Sequence, residues 1–285
     1  MTTLVVDSNF LAHRAIYTMN ALSYEDDKTG VIFGFLMQIL SYAKEFKTND
    51  IIFCWDSTNS KRKELYPDYK ANRVKEDITE EEEELKLSGY KQFDTLREEV
   101  LPLMGFKNVY FQDGYEADDL IATTVGWHEG EFVIITADHD MYQLLDFADM
   151  WNPASKQLYT YDDFGQEWEL SPIDWIDVKS LAGCSSDNIA GIKGVGEKTA
   201  AKFIRNELKS TTKAYQKIES ARGNVLKRNK PLVTLPFIGT NIYKIKDNKL
   251  NFDNFVEHIC YRYSFDSFLK DNYYLKWENF FAGRF

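Results

Sequence analysis

Cysteine is scarce in this 285-residue chain. Cys54, Cys184 and Cys260 are far apart and odd in number, which argues against a disulfide framework, and they show no zinc-type spacing. They read as free thiols of a reducing cytoplasm. No apolar run reaches the roughly 18–20 residues that a membrane span needs. The opening stretch Thr2-Thr3-Leu4-Val5-Val6 is strand-like and lacks the basic-then-apolar order of a signal peptide, so a cytoplasmic protein with no membrane partner is expected. Internal repeats, low-complexity linkers and coiled-coil heptads are also missing. What remains is 44% hydrophobic and 15% aromatic, enough to build one large core or a core with a smaller insert.

An excess of positive charge is missing too, since the net charge is −11. On its own this argues against a nucleic-acid partner. Its distribution points the other way. Residues 57–75 carry a net +4 and residues 190–230 a net +8, so the remainder carries −23. Two basic segments against an acidic remainder suit a protein that neutralises phosphates and holds divalent cations.

Three apolar runs, Leu4–Val6, Ile51–Trp55 and Phe132–Thr136, read as buried parallel strands separated by helical stretches, the pattern of an α/β fold. Each ends at an aspartate: Asp7, Asp56, and Asp138 with Asp140. Ligands of open α/β sheets bind beyond the carboxyl ends of the strands. Thr79 with Glu82 looks like a capping box. It opens a helix in which Leu85, Phe93, Leu96, Val100, Leu101 and Met104 recur at helical spacing, and the acidic block Glu80–Glu84 is a solvated helix start. Residues 148–165 read as a β excursion turning at Asn152-Pro153. Pro172 marks a boundary, with a basic helical segment beyond it. The aromatic stretch from Phe252 to Phe285 is expected to pack back on the core.

The densest chemical signal is Gly114-Tyr115-Glu116-Ala117-Asp118-Asp119, read as the start of a helix with Glu116 and Asp119 on one face. Three acids in four residues raise one another's pKa values unless a cation neutralises them. In Thr136-Ala137-Asp138-His139-Asp140, an extended chain points both aspartates to one side; His139 between them is read as structural. Together with Asp187, the candidate metal ligands are Asp7, Asp56, Glu116, Asp118, Asp119, Asp138, Asp140 and Asp187. An all-oxygen set selects Mg²⁺ or Mn²⁺. Two such ions would activate an attacking water and stabilise the leaving oxygen of a phosphodiester.

Residues 191–204 follow the helix–hairpin–helix pattern. Gly191, Gly194 and Gly196 let backbone amides approach a phosphate, and Lys193, Lys198, Thr199 and Lys202 surround them, binding a strand without reading its sequence. Residues 61–75 interleave Lys61, Arg62, Lys63, Lys70, Arg73 and Lys75 with Tyr66 and Tyr69, as single-strand contacts require.

These motifs, in this order and over nearly the whole chain, resemble the 5′ nuclease family: bacteriophage 5′ exonucleases, the 5′-nuclease domain of bacterial family-A DNA polymerases, and flap endonucleases. The resemblance implies a PIN-like, mostly parallel sheet flanked by helices. Residues 1–171 would form the catalytic core, with a helical arch at about 57–95. Residues 172–236 would form the helix–hairpin–helix subdomain and 237–285 the returning segment. Lys70 and Arg73 match arch residues that polarise the scissile phosphate; Tyr69 and Arg14 are counted with them as catalytic. Lys61, Arg62 and Lys63, with Lys193, Gly194, Gly196, Lys198, Thr199 and Lys202, are expected at the DNA. The resemblance further implies two or more Mg²⁺, replaceable by Mn²⁺, and K⁺ at the hairpin. It implies a DNA partner with a 5′ single strand, flap or nick, a monomer, and a bacterial or phage-infected cytoplasm. An RNA–DNA hybrid, as at an Okazaki primer, stays open.

One departure stands out. Where the family places an aspartate of its second metal site, this chain has Cys184, in Gly183-Cys184-Ser185-Ser186-Asp187-Asn188. A thiol is a soft ligand and poor for Mg²⁺. Two other readings remain: a haloacid-dehalogenase-like phosphatase with an aspartyl nucleophile, and a non-catalytic binder of branched DNA. The metal reading makes a direct prediction. Asp138→Asn should abolish Mg²⁺-dependent cutting of a 5′-labelled flap, and near-normal rates in that variant would sink it.

Overall fold

The structure, a computed structural model, describes residues 2–19, 23–24, 27–73 and 79–285. Lys75 of the expected arch lies outside the described residues. So do the side chains of Glu82, the capping partner expected for Thr79, and of Leu85.

The three expected strands form and sit side by side. They are β1 (Thr2–Asp7), β2 (Ile51–Trp55) and, after the short strand β3 (Val109–Phe111), β4 (Glu131–Ile135). Leu4 lies opposite Ile51 on one side and Val133 on the other, all in parallel register. Two more strands, β5 (Asp149–Asn152) and β6 (Gln157–Tyr159), complete a six-stranded sheet of order β3-β2-β1-β4-β5-β6, in which only β6 is antiparallel. β3 and β5 are too short to stand out from the surrounding sequence. The predicted β excursion is correct only as far as Tyr159. Helix α7 (Tyr161–Trp168) follows, because Thr160 caps it: its hydroxyl accepts from Asp163 N, and Asp163 answers by accepting from Thr160 N.

Side chains alternate across the strands, so the sheet has a buried layer on each face. Leu4, Val6, Ile51, Phe53, Trp55, Val133 and Ile135 pack against α1 (Ser8–Met19), α2 (Gly30–Phe46) and α4 (Glu80–Thr95). Val5, Ile52, Cys54, Phe132 and Ile134 face α6 (Ala117–Trp127), α7 and α8 (Trp175–Ala182). The first layer is closed by Phe255, Ile259, Phe265, Phe268, Trp277 and Phe280 from the C-terminal stretch. All three cysteines are free and buried. The chain leaves β1 toward β2 and β3, then returns to β4 on β1's other side. That reversal opens a crevice at the strands' carboxyl ends.

Beyond α8 a two-residue ribbon pairs Gly183–Cys184 with Ile189–Ala190, ahead of the glycine hairpin and α9 (Glu197–Ile204). The long helix α10 (Lys213–Val233) then leads back to the core. Gly183 has φ +79°, and a Cβ on Gly191 would lie 2.1 Å from Ala182 O. The ribbon therefore requires glycine at both places. Gly191→Ala is expected to lower unfolding free energy by about 1–3 kcal/mol, as overpacked sites do. A urea midpoint equal to wild type would show that the contact relaxes freely.

Candidate active site

The crevice is where the acids gather. Asp7 ends β1; its carboxylate accepts from Phe10 N at 3.0 Å and from the Thr136 hydroxyl at 3.2 Å. Asp56 follows β2 and accepts from Ala117 N at 2.7 Å, which pins the start of α6 to the sheet edge. Its own amide donates to the Asn9 side chain at 2.9 Å. Asp118 stands in the first turn of α6, and Asp138 follows β4.

These four carboxylates repel one another; Asp7 is buried, Asp56 and Asp118 are half-buried and Asp138 is exposed. Burial, then Asp56, pushes Asp7 up to about 7. Burial, then Asp138, Asp7 and Asp56, drives Asp118 well above the usual carboxylate range. Burial also raises Asp56, despite the opposing Lys70 ammonium. An all-oxygen cluster lacking enough positive charge has the donor chemistry for a hard divalent ion.

The expected common side for Asp138 and Asp140 is not found. A 3₁₀ turn begins at His139, and Asp138 caps it by accepting from Asp140 N at 2.8 Å. The turn carries Asp140 into a second group, where one donor atom each of Asp140, Cys184 and Asp187 lie within 4.8 Å of one another. Protein cations already serve this group, among them Lys179 and Arg73. Lys179 Nζ lies 2.7 Å from Asp140 and 3.0 Å from Glu197. Arg73 lies 2.7 Å from Asp187. Cys184 Sγ lies 3.0 Å from Ser186 Oγ, and burial, then Asp140 and Asp187, raises its pKa, so the thiol is neutral. The second group offers a divalent ion less charge than the first. Lys179 was missed in the sequence; the available signal was a lysine set between Val178 and Leu181, both buried, in helix α8.

The arch residues meet the acids through a stitched loop. Lys70 N donates to Asp187 O, Asn72 Nδ2 to Ser185 O, Arg73 Nε to Ser186 O, and Asn188 Nδ2 to Asp68 O. The cost of a left-handed backbone at Lys70 (φ +55°) is met by this loop. Lys70 Nζ reaches Glu116 at 2.7 Å and Asp187 at 3.8 Å. Tyr69 Oη bridges Glu116 at 3.0 Å and Asp187 at 3.2 Å. Burial disfavours the Glu116 anion, but Lys70 and Arg62 outweigh it and hold that carboxyl below its ordinary value.

Three expected roles are corrected. Asp119 is fully buried and has no oxygen to spare for a metal. Its Oδ1 accepts from Arg62 Nη2 and Phe237 N, both at 2.8 Å; its Oδ2 accepts from Arg62 Nη1 at 2.7 Å and Glu116 N at 3.1 Å. Arg62 is likewise no surface DNA contact. It is 2% exposed, and its Nε donates to Leu232 O at 2.8 Å. Arg14 does not join the carboxylates; it lines a separate cleft of about 370 Å³ with Gln38, Tyr42, Glu45 and Trp151. Lys61 and Lys63 are exposed, as are Lys193, Lys198 and Lys202. Gly194 adopts φ +81°, and Gly196 caps α9 with Thr199 in its first turn.

A sheet whose switch point gathers carboxylates, with basic side chains braced over them and a glycine hairpin beyond, is an arrangement suited to the nuclease class of enzymes. Residues 2–169 match the family described as 5′-3′ exonuclease, N-terminal resolvase-like domain, and residues 170–246 match its C-terminal SAM fold. The chain belongs to the 5′–3′ exonuclease family and is a nuclease of that family. It is 36% identical over 217 residues to a 5′-3′ exonuclease of Bacillus subtilis, covering 71% of this chain and 69% of that one. It is 33% identical over 208 residues to the thermostable DNA polymerase I of Thermus thermophilus, spanning 24% of that protein. Among solved structures it resembles the bacteriophage T5 flap endonuclease in a pseudo-enzyme-product complex with DNA and metal ions. That match has a TM-score of 0.69 and 25% identity, over 83% of this chain and 90% of that one.

Neighbouring aspartates should respond oppositely to substitution. In chelator, Asp119→Ala leaves a guanidinium buried and unpaired and should cost about 3–5 kcal/mol of stability. Asp118→Asn removes a mutually repelling charge and should stabilise the metal-free protein by roughly 1 kcal/mol. Urea unfolding of both variants measures this, and equal losses would refute the division of roles.

Proposed function

We propose that this protein is a structure-specific 5′ nuclease, hydrolysing DNA phosphodiesters at 5′ ends and where a 5′ single strand or flap meets duplex. The observation that carries this reading is the juxtaposition of Asp7, Asp56, Asp118 and Asp138 with Lys70 and Arg73 across one crevice. Mg²⁺, or Mn²⁺ in its place, would be held by those four aspartates, with a second ion at Asp140 and Asp187. When bound, the ions supply an activated water and offset charge on the leaving oxygen.

The chain's own residues do the rest. Lys70 and Arg73 neutralise the phosphate that enters beside them, a preorganised electrostatic role. Tyr69 and Glu116 keep the Lys70 ammonium aimed into the crevice. The amides around Gly194 and Gly196, with Lys193, Lys198, Thr199 and Lys202, grip the downstream duplex. K⁺ is a fitting counter-ion at that hairpin. The partner is DNA with a 5′ single strand, flap or nick, an RNA–DNA hybrid being a further substrate to test. The protein works as a monomer in the cytoplasm of a bacterial or phage-infected cell. A phosphatase with Asp7 as nucleophile loses support, because it leaves the braced Lys70 and Arg73 and the glycine hairpin without a role.

Two measurements test the proposal. Removing the Lys70 cation by Lys70→Met should lower flap cleavage about 10²–10³-fold, the usual loss for one preorganised donor. Cys184→Asp should shift the Mg²⁺ titration of cleavage to lower concentration. Tight flap binding by wild type with no cutting in Mg²⁺ or Mn²⁺ would favour the non-catalytic binder instead.

A further inference from the structure

His139 stands between two cluster aspartates, yet the mechanism leaves its ring unused. The ring is exposed and lies 4.7 Å from Tyr142 at an interplanar angle of 17°. Tyr142 in turn stacks on Tyr159 at 4.7 Å and 19°. The three rings form one ladder. Its inner end is fixed, since Tyr159 Oη donates to Glu167 at 2.7 Å and Tyr142 is wedged edge-on against Phe164. Its outer end is fixed as well, because His139 O accepts from the Trp175 indole at 2.8 Å. The ladder borders a cavity of about 300 Å³, lined also by Thr136, Asn152 and Gln157. Thr136 is the residue whose hydroxyl donates to Asp7, so the cavity adjoins the acid cluster.

We propose that His139 is a stacking platform for one unpaired nucleobase of the strand bound at the acid cluster, with the base seated in this cavity. The inference rests on the nuclease reading above. A flat aromatic face serves any base, because every base has a π-face, and such stacking is largely indifferent to sequence. The pre-stacked ladder removes the cost of ordering the receiving ring. Asn152 and Gln157 supply side-chain amides able to meet a base edge. Ligand chemistry and position agree: an unpaired base arises at a junction between single strand and duplex, and the platform lies one residue from Asp138 and from Asp140.

The test uses flap DNAs carrying 2-aminopurine, a fluorescent base, at successive positions from the 5′ end through the junction. Binding is followed separately by anisotropy of a distant label. The proposal expects one or two positions whose emission changes on binding wild type. That change should be lost in His139→Ala and kept in His139→Tyr, which retains a ring. It also expects about tenfold weaker binding of flap DNA by His139→Ala, the loss of one stacked base, with the urea midpoint unchanged. Equal anisotropy and equal emission for wild type and His139→Ala at every position would overturn it. Failure of wild type to bind any flap DNA would overturn the nuclease reading itself, a result the anisotropy arm reports separately.

Discussion

The bidentate pair between Arg62 and Asp119 lies where three distant stretches of chain meet. Arg62 opens the basic segment after β2, Asp119 sits in the first turn of α6, and the carbonyl of Leu232 and the amide of Phe237 close the pair from the far end of α10. Charges so buried remain stable only when every lone pair and every proton is used, and here Asp119 is saturated. The orientation of α6 follows from this, and with it the positions of Glu116 and Asp118. The basic segment inherits its anchor from the same contact, so Tyr69 and Lys70 reach Glu116 from a fixed base. Remove the pair and the acids and their cations lose their common frame.

Around that frame the charges divide unevenly. Asp7, Asp56 and Asp118 are left with too little positive charge beside Asp138, and the raised pKa values of those three express the deficit. Asp140 and Asp187 are each paired with a protein cation, Lys179 and Arg73. Cys184 adds a neutral, soft donor to the better-compensated group. The two groups therefore differ in their appetite for a hard ion, although they share one crevice and one strand-to-turn junction.

Much of this was legible in sequence wherever a local pattern carries its own consequence. An apolar run ending in aspartate means a strand end at the crevice, and Asp7, Asp56 and Asp138 followed from it. The glycine spacing at 191–196 marked a special backbone; in the structure Gly191 packs against the Ala182 backbone, while Gly194 and Gly196 are exposed around the hairpin. What failed to show was anything decided by a distant partner. Asp118 and Asp119 are identical in chemistry and adjacent in sequence; only an arginine 57 positions from Asp119 sets the anchor apart from its charge-starved neighbour. Arg62 looked like its neighbours Lys61 and Lys63 because a run of basic residues does not say which one turns inward. Arg14 follows the first strand closely in sequence, but helix α1 carries it to a different cleft. Asp140 parted from Asp138 because a cap formed between them, a one-turn event that an extended-chain reading misses.

The glycine contact behind the ribbon has a consequence for where a strand can be cut. Gly183 and Gly191 press backbone against backbone, and only six residues separate Asp187 from Gly194. On the function proposed above, a duplex seated on the hairpin would stand at a set offset from the carboxylates, whatever its sequence, with the ribbon as a ruler made of protein backbone.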